Sequence, residues 1–492
     1  MVPFGPFLPD IATFNSLAAT EAQGVIPSPT GYRPFPAFNA NTSAITARAQ
    51  GAVSVRDNSS GTIHNFCGDA TKLYKMASDG LSWNDVSRLA GGVYATATDG
   101  WWEFSQFGNV VMADNGTDAA QAFTVGSSSN FAALGGSSPI ASFGFAIRGF
   151  AVKCKVAGAF NRVHWSAIED VTSWVASATT LSDAQDLPDG GIIMGAVGGE
   201  YGVIFQERAI QRMAFEGPPT AFRFDKIVNT LGVRCARSIA AYDNIAFFLA
   251  HDGFYMLRGG VELVPIGDEK VNRWFHDNFD STYPYRVSSA IDPINGLYVI
   301  GFPTSSAVSG SPDALLIYHW RTGQWSRIAV NHEIVYPAAT QSSATIDGLD
   351  SYSATIDGLL FPVDSAIYTG TGRLLLAGFN TSHQQGFYSG TNVAATIETG
   401  EAQLVAGRKS LLRGLRPIVE GTSVTPSATI RWRNRMQDAL TDETAVAANS
   451  TGICKVRAKA RYHRAKITIP AASTWTYARG IDDLEITAMG KR

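Results

Sequence analysis

The side chains of this chain that could do chemistry are carboxylates clustered in turns. The run Asp114-Asn115-Gly116-Thr117-Asp118 offers the oxygen ligands of a calcium loop, but the glutamate that completes an EF-hand loop does not follow it. A loop that contains proline and glycine also holds three aspartates close together, Asp183, Asp186 and Asp189. Solvation of these acidic side chains is the simpler interpretation. We therefore predict turns at both places, and neither a metal nor another cofactor.

Hydrolysis of a glycoside needs two carboxylates about 5 to 10 Å apart in a cleft. Glu207, Asp252 and Asp292 are available, but nothing in their sequence positions brings any two of them together. The segment Ser78–Trp83 resembles a sialidase Asp-box only superficially, because its Asp–Gly spacing differs. The eight histidines are scattered, and the sequence contains no GxSxG, Walker or HExxH motif. The sequence therefore predicts a protein that is not an enzyme.

The composition favours many short strands joined by tight turns. The chain has 492 residues, of which 45% are hydrophobic and only 16% charged, with 48 glycines. The four cysteines have no metal-binding spacing, which predicts reduced thiols buried in strands. There is no run of about 18 apolar residues, so we expect no membrane span. We find no signal peptide at the N-terminus and expect assembly in a cytoplasm.

Alternation of apolar and polar residues predicts antiparallel strands from about residue 46 onward. The segment Ser142–Trp174 is a clear example, and similar groups recur at intervals of about 40 to 50 residues. Four short strands per group are typical of a β-propeller, and residues 46–385 hold six or seven such blades. Between two of the groups, the spacing of apolar residues in Asp268–Asp280 predicts one short amphipathic helix.

Residues 1–45 lack periodicity and interleave proline with phenylalanine. Proline disfavours helix interiors and central strands, while aromatic side chains need a surface that covers them. We predict an extended arm anchored by Phe4, Phe7 and Phe14, which lies either on its own chain or on a neighbour.

The basic residues concentrate near the C-terminus, in residues 386–492, which we predict to be an antiparallel β domain. From Glu401 to the end the chain has 16 Lys and Arg against 8 Asp and Glu, whereas the net charge of the whole chain is −3. The remainder therefore carries −3 − 8 = −11. Two alternating strands place cations on one face and are candidates for contact with DNA or a partner, or for simple solvation. Their cations are Arg431, Arg433 and Arg435 in one strand, and Lys455, Arg457, Lys459 and Arg461 in the other.

A short internal repeat lies between the propeller strands. The run Ser343–Leu349 recurs as Ser353–Leu359, and each copy contains an Asp-Gly dipeptide. A local duplication in an extended hairpin explains it most simply. The alternative is a protruding or gating loop, for which Asp347, Gly348, Asp357 and Gly358 are the candidate residues.

The order of several short motifs along nearly the whole chain resembles the packaged-DNA stabilisation proteins, or tail nozzles, of short-tailed bacteriophages. Each motif alone is short and partly common to propellers. The matching segments are Pro9-Asp10, Gly31–Pro34, Leu73-Tyr74, Trp102–Gly108, Asn161–Ala167, Ile204–Glu207, Asp252–Tyr255, Pro265–Gly267, Gly452–Arg464 and Gly480–Asp482.

The resemblance implies a structural protein of the virion tail, made in the host cytoplasm. Such nozzles are rings, typically hexamers, attached below the portal and its adaptor, and they close the channel, retain the genome and carry fibres or spikes. In a ring, the aromatic residues of the arm would contact a neighbouring copy. The acidic body would let double-stranded DNA pass without sequence-specific contact, and the basic strands would meet an acidic adaptor.

The alternative is a carbohydrate- or receptor-binding propeller of a phage tail, a class that includes glycan hydrolases. Propellers support many functions, so the fold does not choose between these two classes. The assembly state does distinguish them, because a glycan-binding monomer favours the alternative and a ring of several copies favours the nozzle.

Overall fold

The structure is a computed structural model that describes residues 1–340, 349–350, 353–359, 363, 368 and 372–490. The first 44 residues contain β1 (Val2–Pro3), β2 (Glu21–Gln23), β3 (Val25–Ser28), β4 (Gly31–Pro34) and β5 (Pro36–Ala44). Within the described residues, no helix is both long enough and apolar enough to cross a bilayer.

Five consecutive four-stranded antiparallel sheets follow the arm. Blade 1 contains β6 (Ala52–Arg56), β7 (Ile63–Gly68), β8 (Leu73–Met76) and β9 (Trp83–Asp85). Blade 2 contains β10 (Glu103–Phe107), β11 (Val110–Asp114), β12 (Gln121–Thr124) and β13 (Ala132–Ala133). Blade 3 contains β14 (Ala141–Ile147), β15 (Phe150–Val156), β16 (Ala159–Trp165) and β17 (Asp183–Asp186). Blade 4 contains β18 (Ile193–Val197), β19 (Gly202–Gln206), β20 (Ile210–Phe215) and β21 (Phe222–Val228), and blade 5 contains β22 (Ala240–Tyr242), β23 (Ile245–Leu249), β24 (Phe254–Arg258) and β25 (Glu262–Pro265).

Two further blades complete the propeller. Blade 6 contains β26 (Ser288–Asp292), β27 (Leu297–Phe302), β28 (Ala314–His319) and β29 (Gln324–Ala329), and blade 7 contains β30 (Ile334–Ala339), β31 (Leu374–Phe379) and β32 (Gln384–Asn392). The hairpin between β26 and β27 turns at Gly296, whose φ of 70° is easily adopted only by glycine. Short 3₁₀ turns lie at Pro188–Gly190, Ala236–Ser238, Pro284–Arg286, Val308–Gly310 and Ile356–Gly358.

The chain is an all-β protein built around a propeller, and the described residues form seven blades. The first strands of successive blades lie side by side around the axis, and β30 of blade 7 contacts β6 of blade 1. The predicted helix between blades 5 and 6 is confirmed as α1 (Asn272–Asn278). Its Phe275 packs edge-on against Phe254 of blade 5, with ring centroids 5.0 Å apart.

Blade 7 takes its fourth strand from the N-terminal segment, because β5 pairs antiparallel with β32. The boundary that we placed at residue 45 is therefore wrong, since residues 36–44 belong to the propeller. The burial of β5 follows no strand pattern, because Thr42 is its sole buried residue. Likewise, β32 extends to Asn392, beyond the predicted end of the propeller at residue 385.

The C-terminal residues form a sandwich of two sheets, which we call the platform. Its strands are β33 (Ala395–Glu398), β34 (Ser410–Gly421), β35 (Ser427–Arg433), β36 (Thr441–Asp442), β37 (Val446–Ala447), β38 (Ala458–Ala460), β39 (Tyr462–Ile469) and β40 (Trp475–Ala488). The first sheet has the order β3-β4-β40-β34-β38, with β1 beside β40. The second sheet contains β2, β33, β39, β35, β36 and β37.

The arm strand β2 joins the propeller to the platform. Gln23 pairs in parallel with Arg327 of blade 6 and antiparallel with Thr396 of β33, so one sheet of ten strands continues from blade 6 into the platform. The apolar core is continuous across the same junction, with Trp325 of the propeller and Ile467 of the platform in one cluster. The two parts therefore share both a sheet and a core.

Candidate functional site

The platform carries the basic strands that the sequence nominates. In β35, Ile430 is buried on the inner side, whereas Arg431 and Arg433 lie on the opposite face, as the alternation predicts. Arg431 is directly opposite Arg464 of β39, and like charges in this position repel. Acidic partners are therefore required, and they come from within the chain.

Two buried glutamates satisfy these arginines. Arg433 binds Glu401 through two hydrogen bonds, from Nε at 2.7 Å and Nη2 at 2.5 Å, and the Glu401 side chain is completely buried. Arg431 contacts Glu398 at 3.1 Å and Asp442 at 2.7 Å. The hydrogen bond that Arg431 donates to Asp442, together with the charge of Glu398, raises the pKa of Arg431. Arg431 and Arg433 are thus held in ion pairs within the chain, and their role as partner- or DNA-contacting residues stays a prediction.

Arg464, which the sequence nominations omitted, bridges the same two glutamates. Its guanidinium lies 3.5 Å from Glu398 and 3.4 Å from Glu401, and it donates a hydrogen bond of 3.0 Å to the Thr13 hydroxyl of the arm. Alternation along β39 could have found it, because Arg464 and Lys466 share one face.

The second basic segment presents an open cationic face, although only Ala458–Ala460 (β38) of it forms a strand. Cys454, Val456, Ala458 and Ala460 are buried, whereas Lys455, Arg457 and Lys459 alternate with them and are exposed. Lys459 pairs across the sheet with Leu411, next to the exposed Arg413. We call Arg413, Lys455, Arg457 and Lys459 the basic face.

Acidic residues only partly neutralise the basic face and the cations around it. Lys455 contacts Glu485 at 2.6 Å, and both side chains are largely exposed. Arg461 reaches the carbonyl of Gly407 at 3.4 Å. Arg435 lies in the loop after β35, 80% exposed and 3.3 Å from Asp438. Exposed pairs of this kind contribute little free energy, so these side chains can exchange partners.

The predicted arm anchors lie on their own chain. Phe4 and Phe7 are 5% and 1% exposed in the core shared with the platform. Phe14 is 39% exposed and packs edge-on against Tyr462, with ring centroids 5.4 Å apart. The Asp10 carboxylate accepts hydrogen bonds of 2.8 Å from the backbone N–H groups of the first turn of α1. The expectation that these aromatic residues need a neighbouring copy is therefore wrong for Phe4 and Phe7.

The repeat falls partly outside the described residues, which exclude Asp347 and Gly348. In the second copy, Asp357 and Gly358 form an exposed 3₁₀ turn, Ile356–Gly358. This position is compatible with a protruding loop.

The carboxylates considered for catalysis have local structural contacts. Asp114 is buried beside Lys153, and Asp118 pairs with Arg88 at 2.9 Å. Asp252 accepts a hydrogen bond from the Tyr255 hydroxyl. Asp292 accepts hydrogen bonds from both the backbone N–H and the side-chain amide of Asn295 in a turn. No cluster of three metal-ligating side chains occurs in the part of the chain that the structure describes.

The four cysteines are buried and free, as predicted. Burial raises the pKa of the Cys67 thiol well above its usual value. These thiols are therefore packing residues, not nucleophiles.

A cavity of about 170 Å³ lies among β6, β10, β26, β30 and the turn before blade 5. Arg237 projects into it, bonded to Glu103 and stacked over the ring of Trp101 at 5.2 Å. Burial raises the pKa of Glu103, although Arg237 opposes this effect. This volume corresponds to only a few water molecules.

A second opening of about 370 Å³ lies between blades 4 and 5. Glu200, Tyr201, Asp243 and Asn244 line it, and Arg212 stacks on the Tyr201 ring at 4.5 Å. An aromatic ring beside carboxylate and amide groups can bind a polar ligand.

No protein-family model matches the chain, and no curated protein matches it. Among solved structures, YCF48 bound to a D1 peptide aligns with 72% of this chain and 97% of its own, at 11% identity and a TM-score of 0.39. The extracellular domain of the putative hybrid two-component system BT4673 from B. thetaiotaomicron aligns with 83% of this chain and 47% of its own, at 11% identity and a TM-score of 0.42. A chain of the mitotic checkpoint complex aligns with 74% of this chain and 96% of its own, at 10% identity and a TM-score of 0.37. At these values the similarities carry no argument about function.

Proposed function

We propose that this chain is a subunit of a ring-shaped tail nozzle of a short-tailed bacteriophage. Its role is mechanical, because it holds packaged double-stranded DNA in place and lets the DNA leave on infection. Its partners in the proposal are other copies of the chain, a portal or adaptor protein, and fibres or spikes. The proposal starts from the order of sequence motifs shared with that family.

The observation that best supports the proposal is the continuous sheet from blade 6 through β2 into the platform. A nozzle must bear the pressure of a packaged genome without a hinge between its parts. Here a shared sheet and a shared apolar core join the propeller to the platform, and the arm is bound along the junction. This construction suits a part that transmits force and does not close around a substrate.

In this proposal the DNA passes between subunits and not through one propeller. Arg237, Glu103 and Trp101 line a cavity of about 170 Å³ among the first strands of the propeller. A closed ring of copies would create a wider channel on its own symmetry axis. Because residues 1–400 carry most of the acidic side chains, such a channel would bind the DNA backbone weakly.

The basic face is the surface that we assign to the adaptor contact. Arg457 and Lys459 are exposed on the first sheet of the platform, whereas Arg431 and Arg433 are used internally. An acidic surface on the partner would complement the basic face and would make docking dependent on ionic strength.

The second candidate is a glycan- or receptor-binding propeller, favoured by the opening at Tyr201 between blades 4 and 5. Electron microscopy of the purified full-length protein distinguishes the two candidates. The nozzle predicts closed rings with a central hole, and a hexamer would have six times the subunit mass of 52.5 kDa, about 315 kDa. Monomers that bind glycans, and lose that binding in Tyr201→Ala, would support the second candidate and overturn the first.

A further inference from the structure

A polar cavity of about 380 Å³ opens on the rim of the propeller, beside the fourth strands of blades 3 and 4. Blade 3 contributes Gln185 and Asp186 of β17 to its lining. Blade 4 contributes Phe222, Phe224 and Lys226, which alternate along β21 and therefore share one face of that strand. The volume lies near the lower end of the range of about 300–1,000 Å³ that small-molecule sites occupy.

Gln211 of β20 also lines the cavity, and it is only 5% exposed. Its orientation is fixed by Gln206, which is completely buried and donates hydrogen bonds of 2.8 Å to the carbonyls of Leu187 and Gly191. Both amide hydrogens of Gln206 are thereby used, so its oxygen faces Gln211 and accepts a hydrogen bond of 2.7 Å from Gln211 Nε2. The Oε1 atom of Gln211 is therefore directed away from Gln206.

This Oε1 atom is an acceptor that the fold leaves free. None of the described residues donates a hydrogen bond to it, and it is not among the unpartnered side-chain atoms that are sealed from solvent. Because Gln211 lines the cavity, its oxygen is accessible from there. The amide cannot turn to present a donor without breaking its bond to Gln206, so a ligand must supply the donor.

The charged groups around the cavity balance each other. Asp186 accepts hydrogen bonds of 2.6 and 2.9 Å from Arg162, and Asp189 lies 2.7 Å from Lys226. These contacts lower the pKa of both carboxyl groups, so both are ionised near neutral pH. Two carboxylates and two cations leave no net charge to attract an ionic ligand, yet the carboxylates keep lone pairs that can accept from hydroxyl groups.

The lining favours a neutral ligand that is rich in hydroxyl groups and has an apolar face. Two hydroxyl groups of one ring can donate to Gln211 Oε1 and to Asp186. The half-buried ring of Phe224 offers a surface against which C–H groups can pack. The cavity has more than twice the volume of about 150 Å³ that takes up benzene, which is room for one pyranose ring.

We propose that this cavity binds one neutral pyranose unit of a glycan, with one hydroxyl group bonded to Gln211 Oε1 and another to Asp186. The site is built from a single chain and does not depend on ring formation, so it goes beyond the proposed nozzle function. It is also separate from the opening at Tyr201, which lies between blades 4 and 5.

Saturation-transfer NMR titrations of the full-length protein test the proposal with the methyl pyranosides of glucose, mannose and galactose. Each probe is compared with the methyl uronide of the same sugar, which carries a carboxylate on an otherwise similar ring. We expect at least one neutral probe to bind, about tenfold more tightly than its uronide, because no unpaired cation meets the added charge. Failure of all three neutral probes to bind, or equal affinity for the matched uronides, overturns the proposal.

Variants locate the bound sugar. Gln211→Met removes the free acceptor, and Asp186→Ala removes an exposed carboxylate without disturbing buried residues. Each should weaken binding of the neutral probe about tenfold. Asp225→Ala is the control, because Asp225 lies on the opposite face of β21 outside the cavity, and it should leave the affinity unchanged.

Unaltered binding to both Gln211→Met and Asp186→Ala would contradict the proposal. A loss of binding confined to Tyr201→Ala would place the sugar between blades 4 and 5 and would contradict it as well. Neither result bears on whether the chain forms rings, so this proposal and the nozzle proposal can fail separately.

Discussion

Arg433 and Glu401 form a two-pronged ion pair in the platform, with Nη2 2.5 Å from Oε2 and the Glu401 carboxylate completely buried. The backbone of Glu401 also receives a hydrogen bond from Asn15 and donates one to Thr13. One glutamate therefore neutralises β35 and holds the arm against the platform. This relationship makes the residue a sensitive test of how the arm is bound.

Replacing Glu401 with Gln should destabilise the platform by about 3 kcal/mol, because it leaves Arg433 and Arg464 without their shared carboxylate. Urea unfolding followed by tryptophan fluorescence measures this change. Arg435→Gln is the matched control, since Arg435 is 80% exposed, and it should change the free energy of unfolding by less than about 0.5 kcal/mol. Equal effects of the two substitutions would contradict the role of Glu401 as the carboxylate that Arg433 and Arg464 share.

The closure of blade 7 by β5 depends on Thr42. Its hydroxyl accepts hydrogen bonds of 3.1 Å from Trp83 Nε1 of blade 1 and from the N–H of Gln385 in β32. Thr42→Val should therefore lower the free energy of unfolding by about 2 kcal/mol, whereas Thr42→Ser, which keeps the hydroxyl, should lower it by less than about 1 kcal/mol. Thermal unfolding of both variants checks the difference, and identical losses would show that the hydroxyl is not needed.

The basic face should control electrostatic docking. Changing Lys455, Arg457 and Lys459 together to Gln should weaken binding to DNA-filled heads and reduce its dependence on salt. The fold should be retained, because all three side chains are exposed. The same triple substitution would have no effect on docking if the face is merely solvated, and sedimentation of heads with labelled protein distinguishes the two results.

His332 should make the protein less stable in mild acid. Burial lowers the pKa of His332 from 6.5 to about 4. As the pH falls, His332 therefore binds a proton in the unfolded chain before it does so in the folded one. The free energy of unfolding is highest above pH 6.5 and decreases as the pH falls toward 4. Between pH 6.5 and about pH 5 the loss is about 1.5 kcal/mol.

The variant His332→Gln should remove that part of the pH dependence. His251→Gln, at an exposed site, serves as its control and should behave as the unchanged protein does. Urea unfolding at the two pH values gives the comparison. An unaltered pH dependence in His332→Gln would show that this histidine is not the responsible group.

Local alternation was enough to predict the propeller strands and the exposed face of Lys455, Arg457 and Lys459, and helical spacing of apolar residues was enough to predict the short helix. It could not predict contacts between distant segments. The glutamate partners of Arg431 and Arg433 lie on or just after β33, about 30 residues earlier, and no sequence pattern around Glu398 or Glu401 indicates the pairing. The pairing of β5 with β32 joins residues at least 340 positions apart, and β5 has no buried face of its own.

The arm shows the same limit of prediction from local sequence. Its aromatic residues were correctly identified as needing cover, but sequence could not say whose surface supplies it. The structure places Phe4 and Phe7 in a core that also contains Leu412 and Ile481 of the same chain. Any contact between copies must therefore use other residues.

Retention of DNA tests the central claim most directly. Heads filled with DNA but lacking this chain should release their genome to nuclease, and addition of the purified full-length protein should protect it. Protein with Lys455, Arg457 and Lys459 changed to Gln should protect less well at equal concentration. Heads that keep their DNA equally well with and without the chain would contradict the account.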